Sequence, residues 1–124
     1  MMPNTAYAQN AYTHAMVSTS STPLDLIILL YDGAIGFLNK AQFYMNDNNV
    51  SQKTQYITRA MAIVEELLAS LDHEVSGEIA ENLQSLYLYM QKELAIANIT
   101  NDAAKILQIE SLLKELRTAW REIR

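Results

Sequence analysis

Apolar residues recur along most of this chain at alternating intervals of three and four residues, the spacing of one face of an α-helix. A first series consists of Ile27, Tyr31, Ala34, Leu38, Ala41 and Met45. Three further series are Ile57, Met61, Val64, Leu68 and Leu71; Ile79, Leu83, Leu86, Met90 and Leu94; and Ile106, Ile109, Leu113, Leu116, Trp120 and Ile123. Each series predicts an amphipathic helix whose apolar side faces a shared core.

Polar segments and helix-start signals bound these series, which predicts helices at about 22–47, 51–72, 77–98 and 102–123. Thr22, Pro23 and Asp25 open the first helix with a capping-box pattern, in which the threonine and the carboxylate bond each other's backbone amides. No strand-like alternation competes with the helical period. Helices of similar length joined by short polar loops predict an all-α fold, an antiparallel up-down-up-down four-helix bundle.

Residues 1–21 differ from the rest of the chain. They are mostly Asn, Ser, Thr and Ala with almost no charge, and they contain three well-spaced large side chains, Tyr7, Tyr12 and Met16. No long helical period is visible there. We therefore predict a flexible N-terminal segment at 1–21, followed by a helical bundle domain at 22–124.

Composition and charge limit the functional classes. The net charge is −5 and the basic residues form no cluster, which argues against nucleic acid or an anionic membrane as a partner. Cysteine is absent, so disulfides and thiolate chemistry are excluded. The N-terminus lacks the pattern of a signal peptide, and no apolar run approaches the ~20 residues that span a bilayer. These features predict a cytoplasmic protein without membrane insertion.

Catalytic and metal-binding patterns are missing as well. Four-helix bundles often hold metals through Glu-x-x-His pairs, but neither His14 nor His73 has a glutamate three residues before it. No phosphate-binding loop, zinc-protease motif or serine-nucleophile motif occurs. We therefore expect no enzymatic activity, no catalytic residues, no metal and no cofactor. A helical-bundle enzyme or metal carrier is the alternative, and a metal assay would test it.

The segment at 24–31 is more apolar than one bundle helix needs. Its sequence is LDLIILLY, so apolar side chains point in every direction around the helix axis and Asp25 alone interrupts them. A bundle helix buries about half of its circumference, and the remaining apolar surface needs a cover. The cover is either the N-terminal segment or a helix of another protein. The alternative is that the first helix is simply the most buried of the four.

The same residues resemble a known family over most of the chain, the flagellin-specific export chaperones FliS. The shared pattern consists of Tyr7 and Tyr12; Ser21-Thr22-Pro23 with Leu24-Asp25-Leu26; Leu30-Tyr31-Asp32-Gly33-Ala34; Gly77-Glu78-Ile79-Ala80, Asn82-Leu83, Leu86-Tyr87 and Tyr89-Met90; Asn101-Asp102; and Trp120. Each piece alone is weak, but the ordered set at these spacings is specific. One departure is Ser76 before Gly77, where many relatives have a second glycine.

The resemblance implies a function as well as a bundle fold. Such a chaperone binds the C-terminal segment of newly made flagellin in the cytoplasm, prevents its early polymerisation and delivers it to the flagellar type III export gate. That segment is disordered in the monomer and helical in the filament, so it needs an apolar template. We place the flagellin-binding groove on the first helix, bordered by the third, at Leu26, Leu29, Leu30, Gly33, Phe37, Tyr87 and Met90.

The N-terminal segment has an expected role in the same scheme. Tyr7, Tyr12 and Met16 would lie over the groove as a lid in the free protein and leave it on loading. The resemblance further suggests that Tyr7 reports the loaded state to the export gate. The competing interpretation is a structural or regulatory helical protein without a flagellin client, which self-associates through the first helix, for example as a homodimer.

Overall fold

The computed structural model describes residues 22–124, and the regular structure in this range is helical. The elements are α1 (Pro23–Asn46), α2 (Val50–Ala69), α3 (His73–Ser76), α4 (Glu78–Thr100) and α5 (Ala103–Glu122). The predicted all-α fold is confirmed. Two boundaries differ from the prediction by more than one residue: α2 ends at Ala69 rather than at 72, and α4 continues to Thr100 rather than to 98. The short helix α3 occupies what the sequence suggested was a loop.

Local chemistry explains where the helices begin. Thr22 and Asp25 form the predicted capping box: Thr22 Oγ1 accepts the Asp25 amide hydrogen at 3.1 Å, and the Asp25 carboxylate accepts that of Thr22 at 3.2 Å. Asn49 and Asp102 cap α2 and α5 in a similar way, each accepting a hydrogen bond from the amide three residues later. The first amides of a helix have no partner inside it, so these contacts fix the starting residues.

Residues with positive φ mark the sharp turns around α4. Asn101 ends this helix in the left-handed conformation, with a φ of 55°, which asparagine adopts more readily than most residues. Gly77 separates α3 from α4 with a φ of 50°, and α4 begins there without a side-chain cap. Because glycine adopts such a φ without steric cost, the chain reverses here over very few residues.

The four long helices form a ring. α1 and α4 each pack against both α2 and α5, so α1 and α4 lie diagonally across the core. Contacts along the α1–α5 seam show the relative direction: Gln42 bonds Glu110, and Asp25, seventeen positions earlier, bonds Arg124, fourteen positions later. Helices paired in this way are antiparallel, and the predicted up-down-up-down arrangement is confirmed.

Most residues of the predicted apolar series lie in the core or against it, and Ile63, Leu67 and Tyr87, which no series included, are buried as well. The largest fully buried side chains are Tyr31, Tyr87, Leu38, Ile57, Ile63, Leu67, Met90, Leu94, Ile106, Ile109, Leu113 and Val64. By contrast, Ile79 and Ile123 were predicted to face the core but are 64% and 68% exposed. They lie at the start of α4 and the end of α5, on one seam and at one end of the bundle. The apolar series continues there past the point where neighbouring helices cover it.

Candidate functional site

The predicted groove residues of the first helix lie together on its outer side. Leu26, Leu29 and Gly33, together with Gly36, fall within an arc of about 80° on the helical wheel. This arc is turned away from the buried face of α1, which contains Tyr31, Leu38 and other core residues. Leu26, Leu29 and Gly33 are half-buried and Gly36 is exposed. We call these four residues the α1 stripe.

Gly36 is an unusual residue for this position. It lies inside a helix, where glycine costs roughly 0.5–1 kcal/mol relative to alanine. A Cβ added at Gly36 would meet no atom within 4 Å, so no neighbour in the described structure requires the missing side chain. Together with Gly33, which lies three residues earlier, it leaves a flat strip where the backbone of another helix can approach closely. The groove predicted from the sequence included Gly33 but not Gly36.

Aromatic side chains border the stripe on the side of α2. Leu30 and Phe37 are half-buried and pack against the core. The rings of Phe37 and Tyr56 have centroids 5.9 Å apart, and Tyr44 stacks on Tyr56 at 5.7 Å with parallel planes. Arg59 lies over the same Tyr56 ring at 5.0 Å from its centroid. Such aromatic and cation–π contacts favour this arrangement of the rings along the border.

The structure separates Tyr87 and Met90 from the other predicted groove residues. Both belong to α4, diagonally opposite α1, and they are 1% and 0% exposed. The Tyr87 hydroxyl lies 2.7 Å from that of Tyr31 inside the core. Burial raises the pKa of both phenols, and this contact links α1 to α4. Tyr87 therefore contacts α1 from inside the bundle, and Met90 is buried in the same core; neither lines the outer side of α1.

Ion pairs attach α1 to α5 on the opposite flank of the stripe. Arg117 Nη1 lies 2.7 Å from Asp32 Oδ1, and Arg121 Nη2 lies 3.6 Å from the same oxygen. Nearer the helix end, Arg124 Nη1 lies 3.0 Å from Asp25 Oδ1. Hydrogen bonds to Thr22 and this arginine keep the pKa of Asp25 below its ordinary value. These contacts fix the orientation of α1, and helical phase alone did not reveal them.

Among the described residues, two charged side chains are buried, and the sequence interpretation missed both. Lys53 is 5% exposed and donates from Nζ to the Asn98 carbonyl at 2.7 Å, near the C-terminal end of α4. A cation there is favoured by the helix dipole. Glu110 is 2% exposed between α1 and α5, where it accepts a hydrogen bond from Gln42 and pairs with Lys114. Both residues tie neighbouring helices together.

The remaining predicted features concern chemistry and the N-terminal segment. Across residues 22–124 no group of three or more His, Cys, Asp or Glu side chains is arranged to hold a metal ion. In the same range, no helix is both long and apolar enough to cross a membrane. His73 is exposed at the start of α3. Tyr7, Tyr12, Met16 and His14 lie outside the described residues.

Comparison with known proteins gives a consistent result. The sequence model of the family "Flagellar protein FliS" matches residues 3–124. Among curated relatives, the flagellar secretion chaperone FliS of Salmonella typhimurium is 40% identical over 119 residues, covering 95% of this chain and 87% of the relative. The FliS protein of Escherichia coli is 36% identical, and the match covers 94% of this chain and 85% of the relative. The FliS protein of Campylobacter jejuni is 34% identical, and the match covers 99% of this chain and 94% of the relative. The chain whose apolar α1 stripe is described above belongs to the FliS family of flagellar secretion chaperones.

Proposed function

We propose that this chain is a cytoplasmic export chaperone that binds the C-terminal segment of flagellin on the outer side of α1. It prevents early polymerisation of flagellin and delivers it to the flagellar type III export gate. The observation that carries the proposal is the α1 stripe, where two leucines and two glycines lie on a helix face that the bundle does not bury completely. Membership in the FliS family supports the same function.

The chemistry of the stripe suits a helical client. A segment that is disordered when free must bury an apolar face in order to fold, and Leu26 and Leu29 offer such a face. Gly33 and Gly36 allow the client backbone to approach closely, while Leu30 and Phe37 form the border toward α2. Tyr87 contributes indirectly, because its hydroxyl contacts that of Tyr31 on α1 inside the core, where Met90 is also buried. No step in this function requires a catalytic residue, a metal or a cofactor.

The N-terminal segment has a proposed regulatory role. Tyr7, Tyr12 and Met16 would cover the stripe in the free chain and be displaced by the client, and Tyr7 would then contact the export gate. Deletion of residues 1–16 tests the lid, because removing a competing intramolecular contact should raise the affinity for flagellin. Unchanged affinity would contradict this part of the proposal while leaving the stripe itself untouched.

The main experiment is a calorimetric titration with a peptide covering the last ~40 residues of flagellin from the same organism, long enough for more than one helix. We expect saturable one-to-one binding with a negative heat-capacity change, the signature of apolar burial coupled to folding. Absence of binding at high micromolar concentration would refute the client. If the chain then showed a concentration-dependent mass, self-association would become the better interpretation.

Matched variants test the position of the site. Leu29→Glu places a charge in the middle of the stripe and should weaken binding by at least about tenfold, or 1.4 kcal/mol. Ile99→Glu is the control, because Ile99 is 83% exposed near the opposite end of the bundle and lies outside the stripe. Circular dichroism should show that both variants remain helical. Equal affinities of the two variants would place the client elsewhere on the molecule.

A further inference from the structure

An apolar cleft lies on a different seam of the bundle, between the start of α4 and the end of α5. Its volume is about 240 Å³, and it is lined by Ile79, Leu83, Leu116, Ala119, Trp120 and Ile123. Leu83, Leu116 and Trp120 are half-buried against the core and form its floor. Ile79 and Ile123, each about two-thirds exposed, stand at its edges. The cleft is therefore a preformed apolar site with two solvent-exposed isoleucines at its edges.

The α4–α5 seam is the least tightly joined of the four seams between the long helices. Within the described residues one ion pair crosses it, between Lys105 Nζ and Glu93 Oε1 at 2.6 Å. That pair lies nearer the end of the bundle where α4 meets α5 through Asn101, so it does not close the cleft. In contrast, at the end of the bundle that contains the cleft, ion pairs join α1 to α5 through Asp32 and Asp25. The open part of the α4–α5 seam leaves room for an additional element between the helices.

The charges beside the cleft are acidic. Glu78, Glu115 and Glu122 each directly precede a lining residue, and all three are exposed. The arginines of the same part of α5 do not offset them locally, because Arg117, Arg121 and Arg124 pair with aspartates of α1 on the other side of the helix. An apolar cleft with exposed glutamates next to its lining residues on both helices complements an apolar segment that carries lysine or arginine.

We propose that this cleft is a second docking site, which binds an amphipathic helix of another protein with a basic margin. The helix would place large apolar side chains against Trp120 and Leu83 and direct Lys or Arg side chains toward Glu78 and Glu122. A second copy of this chain fits less well, because each copy carries a net charge of −5. Residues 1–21 also fit less well, because they contain no lysine or arginine.

This site is distinct from the α1 stripe. The α4–α5 seam lies across the bundle from the α1–α2 seam, since α1 and α4 occupy diagonal positions. A partner in the cleft and a client on the stripe can therefore be bound at the same time. The inference goes beyond flagellin binding, and it does not depend on whether flagellin is the client.

Trp120 gives a local readout, because it is the single tryptophan of the chain and lines the cleft. The probe is a synthetic leucine–lysine amphipathic helix of about four turns, or roughly 14 residues. Its counterpart has the same leucine positions with glutamate in place of lysine. We expect the lysine peptide to shift Trp120 emission saturably and to bind at least about tenfold more tightly than the glutamate peptide. Added salt should reduce this difference, because the contacting charges are exposed.

Two variants separate cleft binding from non-specific attraction to an acidic protein. The double variant Ile79→Ser, Ile123→Ser (the cleft variant) removes the exposed apolar edges of the cleft. It should lower the affinity for the lysine peptide at least about tenfold. The control Ile99→Ser changes an isoleucine that is 83% exposed at the other end of the molecule and should have no effect. The flagellin peptide should bind the cleft variant with unchanged affinity, which makes this test independent of the proposed function.

Several outcomes would overturn the proposal. Equal binding of the lysine and glutamate peptides would remove the charge argument, and unchanged binding by the cleft variant would place the peptide elsewhere. A red shift of Trp120 emission on deletion of residues 1–16, without peptide, would show that the chain's own N-terminal segment fills the cleft. Loss of a concentration-dependent mass in the cleft variant would identify a second copy as the occupant.

Discussion

Gly36→Ala should affect stability and client binding in opposite directions. Gly36 is exposed in the interior of α1, and an added Cβ meets nothing within 4 Å. Alanine is favoured over glycine inside a helix by roughly 0.5–1 kcal/mol. The main reason is that an unfolded chain with alanine has less conformational entropy to lose on folding. With no clash to oppose this gain, the variant should be more stable by about that amount. For a chain of this size, its melting temperature should rise by about 2–4 °C.

The effect on binding follows from the same empty space. If a client helix lies against the α1 stripe, the new methyl group occupies the gap between the two backbones. Overfilling a packed contact typically costs about 1–3 kcal/mol, so affinity for the flagellin peptide should fall by about tenfold or more. Urea unfolding followed by circular dichroism measures the first effect, and calorimetric titration measures the second.

Ala62→Gly is the matched control, because Ala62 is exposed in the interior of α2 and lies outside the stripe. It should destabilise the bundle by roughly the same 0.5–1 kcal/mol and leave flagellin affinity unchanged. A Gly36→Ala variant that is more stable and binds flagellin with undiminished affinity would refute the argument for close backbone approach. The glycine would then have no explanation in client recognition.

Two further predictions concern the bundle itself. Tyr87→Phe leaves the buried hydroxyl of Tyr31 without its 2.7 Å partner and should lower the free energy of unfolding by about 1–3 kcal/mol. In urea unfolding, the double variant with phenylalanine at Tyr31 and Tyr87 should lose less stability than the sum of the two single variants. Because burial raises the pKa of both phenols, they ionise first in the unfolded chain, so stability should be complete below the ordinary value of 10.0 and decline as pH rises above it. This decline should be shallower in the double variant, and an identical pH profile would contradict the assignment. Asn101→Ala should destabilise by about 1–2 kcal/mol because alanine resists the left-handed φ of 55°, whereas Asn101→Gly should be tolerated; equal melting temperatures would contradict this.

The sequence predicted the four long helices because two independent signals agree. The apolar series define one face of each helix, and residues such as Thr22, Asn49 and Asp102 mark the starts. Helix α3 was missed because a single turn is too short to show a period. Tyr87 is buried whereas Tyr89, two positions later, is 43% exposed, as expected for residues about 200° apart on a helix.

The candidate site was predicted less completely than the helices. Helical phase placed Leu26, Leu29 and Gly33 on one side of α1, but it does not specify which helix lies across the core. Tyr87 was therefore assigned to a surface although it lies beneath it. Phase also predicted burial for Ile79 and Ile123, because periodicity within one helix carries no information about where its neighbour ends. Contacts between helices distant in sequence decide these points.

The packing of α1 against α5, the first and the last long helix of the bundle, has a consequence for biosynthesis. α5 contributes Ile106, Ile109 and Leu113 to the core and bonds α1 through Asp32 and Asp25. A nascent chain that has released only α1–α4 leaves this core open along one entire side, and it exposes apolar surface that favours aggregation. The chain can therefore complete this core only after α5 has been synthesised, and ribosome-associated holding factors should contact α1 until α5 emerges.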